Sequence, residues 1–117
     1  MEIKKISIGT AQFGLKYGAT NKKKKLNLLE IKAILKLAKK YKINNIDTAY
    51  EYGDAEKKLG LVGVQGWDIS SKFPFIPDEE NVQNWIYSKV KKSLDRLKVK
   101  ELTTLFVHDS SQLKSYK

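Results

Sequence analysis

Four ionisable side chains of different chemistry stand where predicted strands of this sequence end. Asp47 and Tyr52 are five residues apart after one such strand, and Lys72 and His108, the only histidine, each follow a later one. In a parallel α/β sheet the carboxyl ends of the strands lie on one face, and active sites form there. We therefore expect these four side chains to meet on one face of the protein.

An aspartate, a phenol, an ammonium and an imidazole together suit the reduction of a carbonyl with proton transfer. A phenol ordinarily has a pKa of about 10, and a neighbouring ammonium favours its ionised form. We assign Tyr52 as the general acid and Lys72 as the cation that tunes it. Asp47 would hold the lysine, and His108 would hydrogen-bond and orient the substrate oxygen. Since none of these groups carries hydride, the set indicates a nicotinamide cofactor.

Each residue taken singly also has an ordinary structural explanation. Asp47 could cap a helix, and Tyr52 could be a half-buried packing residue. A lone His108 is more often structural than catalytic, and Lys72 is one of many lysines. Tyr50 is a second phenol in the same loop, and chemistry alone does not choose between the two tyrosines. The joint placement at successive strand ends favours the functional interpretation.

The sequence around these residues alternates strands with helices. Asn27 and Glu30 predict a capping box at the first helix, and Gly60 predicts the end of the second. This alternation implies an α/β fold with parallel pairing and right-handed crossovers. Predicted strands are 3–9, 43–46, 67–71 and 102–107; predicted helices are 27–41, 55–59 and 82–97; predicted loops are 9–14, 21–25 and 73–77.

Composition narrows the class of protein. The 117 residues suit one domain, and a hydrophobic content of 41% supports a packed core. The net charge of +10 comes from scattered lysines, with Arg96 as the only arginine. Nucleic-acid sites favour arginine, so we interpret the charge as a solvated surface and expect no nucleic-acid partner. No apolar run spans a bilayer and residues 1–5 lack a signal-peptide core, so we expect no membrane partner and a cytoplasmic location.

Other site chemistries find little support in the sequence. One histidine, no cysteine and no short acidic cluster leave no metal-ligand set, so no metal is expected. The glycine patterns of phosphate-binding loops and of nucleophile elbows are also missing from the sequence.

The sequence resembles the aldo-keto reductase family along nearly its whole length. The run Asp47–Gly53 is similar to the family motif Asp-x-Ala-x-x-Tyr-Gly, and this likeness selects Tyr52 over Tyr50 as the acid. Ser71-Lys72 resembles the lysine at the third strand, and residues 105–108 resemble the fourth strand with its histidine. Residues 8–14 resemble the end of the first strand.

This resemblance implies a (β/α)₈ TIM barrel, NADPH as the usual cofactor and the four roles assigned above. It places Gly9, Thr10 and Asp47 at the nicotinamide end of the cofactor. The substrate would be a small carbonyl compound. The run 9–21 is similar to members that act in cell-surface sugar biosynthesis, which points to a sugar.

Length is where the sequence departs from the family. A TIM barrel takes about 250 residues, so residues 1–117 correspond to one incomplete domain of about four βα units. The family's phosphate-binding loops follow the seventh and eighth strands. We therefore expect this chain alone to bind NADPH weakly, to be inactive and to self-associate through its open strand edges. A non-catalytic binding module and, less favoured, a polyanion-binding protein are the alternatives.

Overall fold

The computed structural model describes residues 6–18, 24–78 and 80–114, and its elements alternate strand and helix as predicted. Residues 3–5 of the predicted first strand and 21–23 of the lysine-rich loop lie outside this part. Strands β1 to β4 are Ser7–Gly9, Asn45–Asp47, Asp68–Phe73 and Thr104–Val107; helices α1 to α4 are Ala11–Gly14, Leu28–Lys40, Ala55–Val62 and Val82–Leu97; a 3₁₀ helix follows at Ser110–Lys114.

The four strands form one sheet in the order β1-β2-β3-β4, and each neighbouring pair is parallel. The register aligns Gly9, Asp47 and Ser70, while Lys72 lies beside Phe106. Sequential parallel order is the product of consecutive right-handed βα units. It is also the order of strands in the wall of a (β/α)₈ barrel.

One face of this sheet carries the hydrophobic core. Side chains alternate between the two faces of a strand, and Ile8, Ile46 and Ile69 share the face that the helices cover. Helices α2 and α3 each contribute two residues four positions apart, on one face of the helix, and α1 and α4 contribute one residue each. The core residues from the helices are Phe13, Ile31, Leu35, Ala55, Leu59 and Leu97.

The start of α2 follows the prediction, whereas two other local predictions are wrong. Asn27 accepts from the Glu30 backbone at 2.9 Å, and Glu30 accepts from the Asn27 backbone at 2.8 Å, which forms the capping box. The predicted loop at 9–14 contains the short helix α1. Strand β3 extends to Phe73, because Ser70–Phe73 pairs with β4, and ends where Pro74 lacks a backbone donor.

The prediction that Gly60 ends α3 is wrong. The helix continues to Val62, and Gly63 follows it with a φ of +96°. Gly60 instead lies where α3 crosses α4, and a Cβ there would come within 2.0 Å of the Arg96 carbonyl oxygen. The missing side chain therefore serves the close approach of two helices.

The face of the sheet opposite the helices is mainly polar. A complete barrel fills this face with layers of large aliphatic side chains. Here most side chains are small and polar, and Phe106 of β4 is the large apolar side chain exposed on this face among the described strand residues. Self-association through the open edges of β1 and β4 stays a prediction. The remaining residues of this face, all half-buried or exposed, are Ser7, Gly9, Asn45, Asp47, Asp68, Ser70, Lys72 and Thr104.

In the part of the chain that the structure describes, none of the helices combines the length and apolar character needed to cross a bilayer.

Candidate active site

Backbone hydrogen bonds hold the loops at the carboxyl ends of β1, β2 and β3 in fixed positions. Thr10 N–H donates to the Asp47 carbonyl at 3.1 Å, and Thr48 N–H donates to the Ser70 carbonyl at 2.9 Å. Tyr50 N–H donates to the Lys72 carbonyl at 3.0 Å. These bonds continue the parallel ladder beyond the strands. The candidate residues on neighbouring loops are consequently held at fixed separations.

Lys72 and Asp47 form an ion pair on the open face of the sheet. Lys72 Nζ donates to Asp47 Oδ1 at 2.6 Å and to the Thr48 carbonyl at 2.9 Å. The lysine side chain is 17% exposed, so the pair is partly withdrawn from water. Charge-assisted hydrogen bonds of this length are among the stronger ones in proteins. Asp47 thus fixes the ammonium, as the sequence-based assignment requires.

The Tyr52 ring is close to both this ammonium and the imidazole of His108. Lys72 Nζ is 5.1 Å from the centroid of the Tyr52 ring. The rings of Tyr52 and His108 have centroids 5.8 Å apart and an interplanar angle of 84°. The structure therefore brings all four predicted catalytic residues together at one end of the sheet.

The second phenol of the loop has different neighbours. The Tyr50 ring packs against Arg96 of α4, with Cζ 4.2 Å from its centroid. Lys89 Nζ of the same helix is 5.3 Å from that centroid. This geometry, like the motif, favours Tyr52 over Tyr50 as the acid.

Two glycines allow the Tyr52 loop to pack closely against α1. A Cβ at Gly14 would lie 1.7 Å from the Tyr52 carbonyl oxygen, and one at Gly53 would lie 2.4 Å from the Gly14 carbonyl oxygen. Gly53 also has a φ of +56°, in the left-handed region that favours glycine. The position of Tyr52 therefore depends on two residues that have no side chain of their own.

A cavity of about 330 Å³ opens beside these residues, within the range of small-molecule sites. A Cβ at Gly9 would meet nothing within 4 Å, so there is open space next to the Asp47 carboxylate. Thr10 has no exposed surface, and its hydroxyl donates to the Asp47 carbonyl at 3.0 Å, so it holds the end of β2. The cavity is lined by Gly9, Thr10, Ala11, Gln12, Tyr17, Gly18, Asp47 and Tyr52.

The open space beside Gly9 and the Asp47 carboxylate lies where the nicotinamide end of the implied cofactor is expected. The Asp47 carbonyl oxygen already accepts from the Thr10 N–H and hydroxyl, so the carboxylate is the group of Asp47 that faces this space. Contact of Gly9, Thr10 and Asp47 with a cofactor stays a prediction.

Sequence reasoning missed several groups near the site. Glu51 Oε2 lies 3.6 Å from His108 Nδ1, although that nitrogen makes no hydrogen bond to the described residues. Tyr17 borders the cavity, and no local motif signals it. Glu51 could have been found, because it stands inside the Asp47–Gly53 run that holds two of the predicted catalytic residues.

A buried carboxylate behind the loop was also missed. Glu56 on α3 is 1% exposed, and burial raises its pKa above the usual range. The Ser93 hydroxyl and the Arg96 guanidinium oppose this rise, yet neither carboxylate oxygen makes a hydrogen bond of normal geometry. Arg96 Nη1 lies 4.0 Å from Glu56 Oε1, and Arg96 in turn packs on Tyr50.

Two further features lie away from this chemistry. A larger cavity of about 590 Å³ opens at the amino ends of β3 and β4, around Trp67 and Lys98. That end of a β/α barrel serves stability, whereas function lies at the carboxyl ends. Among the described residues, no group of three or more His, Asp or Glu side chains could hold a metal ion.

A parallel β/α sheet with an ion pair, a phenol and an imidazole at its carboxyl ends defines part of a barrel-type enzyme scaffold. Comparison with known proteins agrees with this. The profile of the Aldo/keto reductase family matches residues 5–116, so the chain belongs to the aldo/keto reductase family, a family of oxidoreductases. A search of curated proteins found no significant match.

Two solved structures are similar to the chain, both of Pseudomonas aeruginosa proteins described as proposed aldo-keto reductases. Their TM-scores are 0.68 and 0.69, with 29% and 28% sequence identity. Each match includes 89% of this chain but only 42% and 40% of the solved chains. The chain therefore spans about two fifths of the length of these structures. The predicted fold, a partial (β/α)₈ barrel of about four βα units, is confirmed.

Proposed function

We propose that this chain supplies the acid–base side of an NADPH-dependent carbonyl reductase site, which reduces an aldehyde, a ketone or a sugar carbonyl to an alcohol. One observation carries the proposal. The Lys72 ammonium is held by Asp47 at 2.6 Å and lies 5.1 Å from the ring of Tyr52, whose other neighbour is His108. A phenol that has a fixed cation and an imidazole as neighbours is suited to donate its proton to a substrate oxygen that the imidazole also contacts.

The roles follow from these contacts. Tyr52 gives its proton to the substrate oxygen as that oxygen gains negative charge. The Lys72 ammonium stabilises the phenolate that this transfer leaves behind, and Asp47 keeps the ammonium from turning away. His108 donates a hydrogen bond to the same substrate oxygen and fixes its direction towards Tyr52. Each role uses charge or a donor that is already in position before the reaction.

The cofactor would lie with its nicotinamide end beside Gly9 and Asp47, where the cavity is open. Bound there, NADPH would supply the hydride that no protein side chain carries. Since the family binds the cofactor's phosphates with loops after later strands, this chain alone is proposed to bind NADPH weakly and to be inactive.

The mixed polar and apolar lining of the cavity supports a hydrophilic carbonyl substrate, such as a sugar. Gln12 and Gly18 border it beside Asp47 and Tyr52. Hydroxyl groups of a sugar need such donors and acceptors, because a buried hydroxyl without a partner is costly.

A chimaeric barrel tests the proposal. Residues 1–117 would be joined to the part of one Pseudomonas aeruginosa relative that the chain does not match. We expect the folded chimaera to consume NADPH with an aldehyde, ketone or sugar carbonyl, and the 117-residue chain to do so far more slowly. The unaltered relative is the control for the assay. A folded, monomeric chimaera that binds NADPH but reduces none of a panel of such carbonyls would contradict the proposal.

A further inference from the structure

Lys58 on α3 reaches beneath the connection between α1 and α2. Its Nζ donates to the Phe13 carbonyl at 2.7 Å and to the Leu26 carbonyl at 2.9 Å. Asp54 Oδ1 lies 3.4 Å from the same nitrogen, and the lysine side chain is 17% exposed. Two of the three ammonium donors thus bond the two carbonyls, and the Asp54 carboxylate lies close by as an ion-pair partner.

The two carbonyls stand at opposite ends of one connection. Phe13 belongs to α1 and is part of the core, whereas Leu26 precedes α2 and packs against the core. Leu26 N–H donates to the Gln12 carbonyl at 3.1 Å, which ties the same two ends together a second time. Without the ammonium, both carbonyls would lose a charged donor in a partly buried place.

The described start of this connection, residues 15–18, borders the candidate active site. Tyr17 lies within it and borders the cavity beside Asp47 and Tyr52. Gln12 Nε2 donates to the Tyr17 carbonyl at 2.9 Å, so the position of Tyr17 depends on the end of the connection that Lys58 holds.

We propose that Lys58 is a positioning residue that clamps both ends of the α1–α2 connection and thereby fixes Tyr17 at the cavity beside Tyr52. The importance of this for substrate binding rests on the proposed function, whereas the clamp itself does not. The alternative is that Lys58 stabilises the whole fold without any local effect.

The test uses the 117-residue chain, with Lys58→Met as the variant and Lys57→Met, an exposed neighbour on the same helix, as the control. We expect Lys58→Met to speed amide exchange at Leu26 by about tenfold or more, since hydrogen bonds from a charged donor are lost. Exchange at Ile69 in the sheet should change far less. The backbone order parameters around Tyr17 should fall towards the flexible range, below about 0.6.

Lys58→Arg should restore most of this local protection, because a guanidinium also donates to two carbonyls. Equal acceleration at Leu26 and Ile69, or none at either, would overturn the proposal. If Lys58→Met does not fold, the wild-type chain still decides by NMR. The clamp requires scalar coupling across hydrogen bonds from the Lys58 ammonium to the Phe13 and Leu26 carbonyls, and their absence would refute it. No reductase activity enters these measurements, so a failed clamp and a failed catalytic proposal are distinguishable.

Discussion

The two faces of the single sheet differ in what they cover. On one face, Ile46 and Ile69 are buried under four helices. On the other, their neighbours Asn45, Asp47 and Ser70 remain partly accessible. The hydrophobic side explains why four βα units hold together, since burial of apolar surface is the main favourable term in folding. The polar side carries the ion pair, and the carboxyl ends of its strands carry the candidate chemistry.

The core and the candidate site are therefore separable in this protein. Residues that alternate along one strand serve different purposes, with Ile69 in the core and Lys72 in the site. A change on the helix-covered face should therefore affect stability first. A change on the open face should affect chemistry with little cost in stability.

The largest expected effect comes from breaking the ion pair on the open face. In the chimaeric barrel, Lys72→Met and Asp47→Asn should each lower turnover by about 100-fold to 10,000-fold, the range typical of acid–base groups. Because the two residues serve one function, the double change should cost little more than the worse single change. Steady-state kinetics of the three variants measures this. Losses that simply multiply would show that the pair does not act as a unit.

The next effect concerns the helix-covered face. Ile69→Ala in the 117-residue chain should lower the free energy of unfolding by about 2–5 kcal/mol, because it leaves a cavity in the core. Ser70→Ala, one residue away on the open face, should change it by less than about 0.5 kcal/mol. Urea unfolding followed by circular dichroism compares the two. Similar losses for both variants would remove the distinction between the faces.

A smaller effect is expected where the Tyr52 loop packs on α1. Gly14→Ala should destabilise the chain by about 1–3 kcal/mol, since its methyl group would overlap the Tyr52 carbonyl oxygen. Gly9→Ala is the matched control, because a Cβ there meets nothing within 4 Å. Thermal unfolding of both variants measures the difference. If Gly14→Ala unfolds at the same temperature as the wild type, the close packing at Tyr52 is not rigid.

The smallest effect depends on pH. The folded-state pKa of Glu56 is raised above its usual value of 4.5 by burial. The contribution of Glu56 to stability should therefore be greatest below that value and be lost as pH rises through the folded-state pKa. Each pH unit between the two pKa values corresponds to about 1.4 kcal/mol. Glu56→Gln should remove this decline, whereas Glu101→Gln, at an exposed site, should keep it. The measurement is the free energy of unfolding of both variants from acid to neutral pH. If it depends on pH in the same way for Glu56→Gln and Glu101→Gln, the raised pKa of Glu56 is contradicted.

Much of the architecture could be predicted because it is encoded locally. The capping box at Asn27 is a pattern of neighbouring residues, and the alternation of apolar runs gave the order of strands and helices. The gathering of Asp47, Lys72 and His108 at one end followed from a general property of parallel sheets.

The features that were missed depend on contacts between distant parts of the chain. Gly60 resembles a helix stop in sequence, but its role comes from the backbone of α4, 36 residues away at Arg96. The extension of β3 to Phe73 requires β4 as its partner. The clamp at Lys58 joins three segments, and no neighbouring residues signal it. Such contacts appear only when the fold brings those segments together.

The choice between the two phenols tests the central claim most directly. In the chimaeric barrel, Tyr52→Phe should lower kcat/KM by about 100-fold to 10,000-fold, because the proton donor is gone while the fold and the cofactor site remain. Tyr50→Phe is the matched control and should stay within about threefold of the unaltered chimaera, since that ring packs against Arg96 instead. A greater loss for Tyr50→Phe than for Tyr52→Phe, with both proteins folded, would contradict this account of the site.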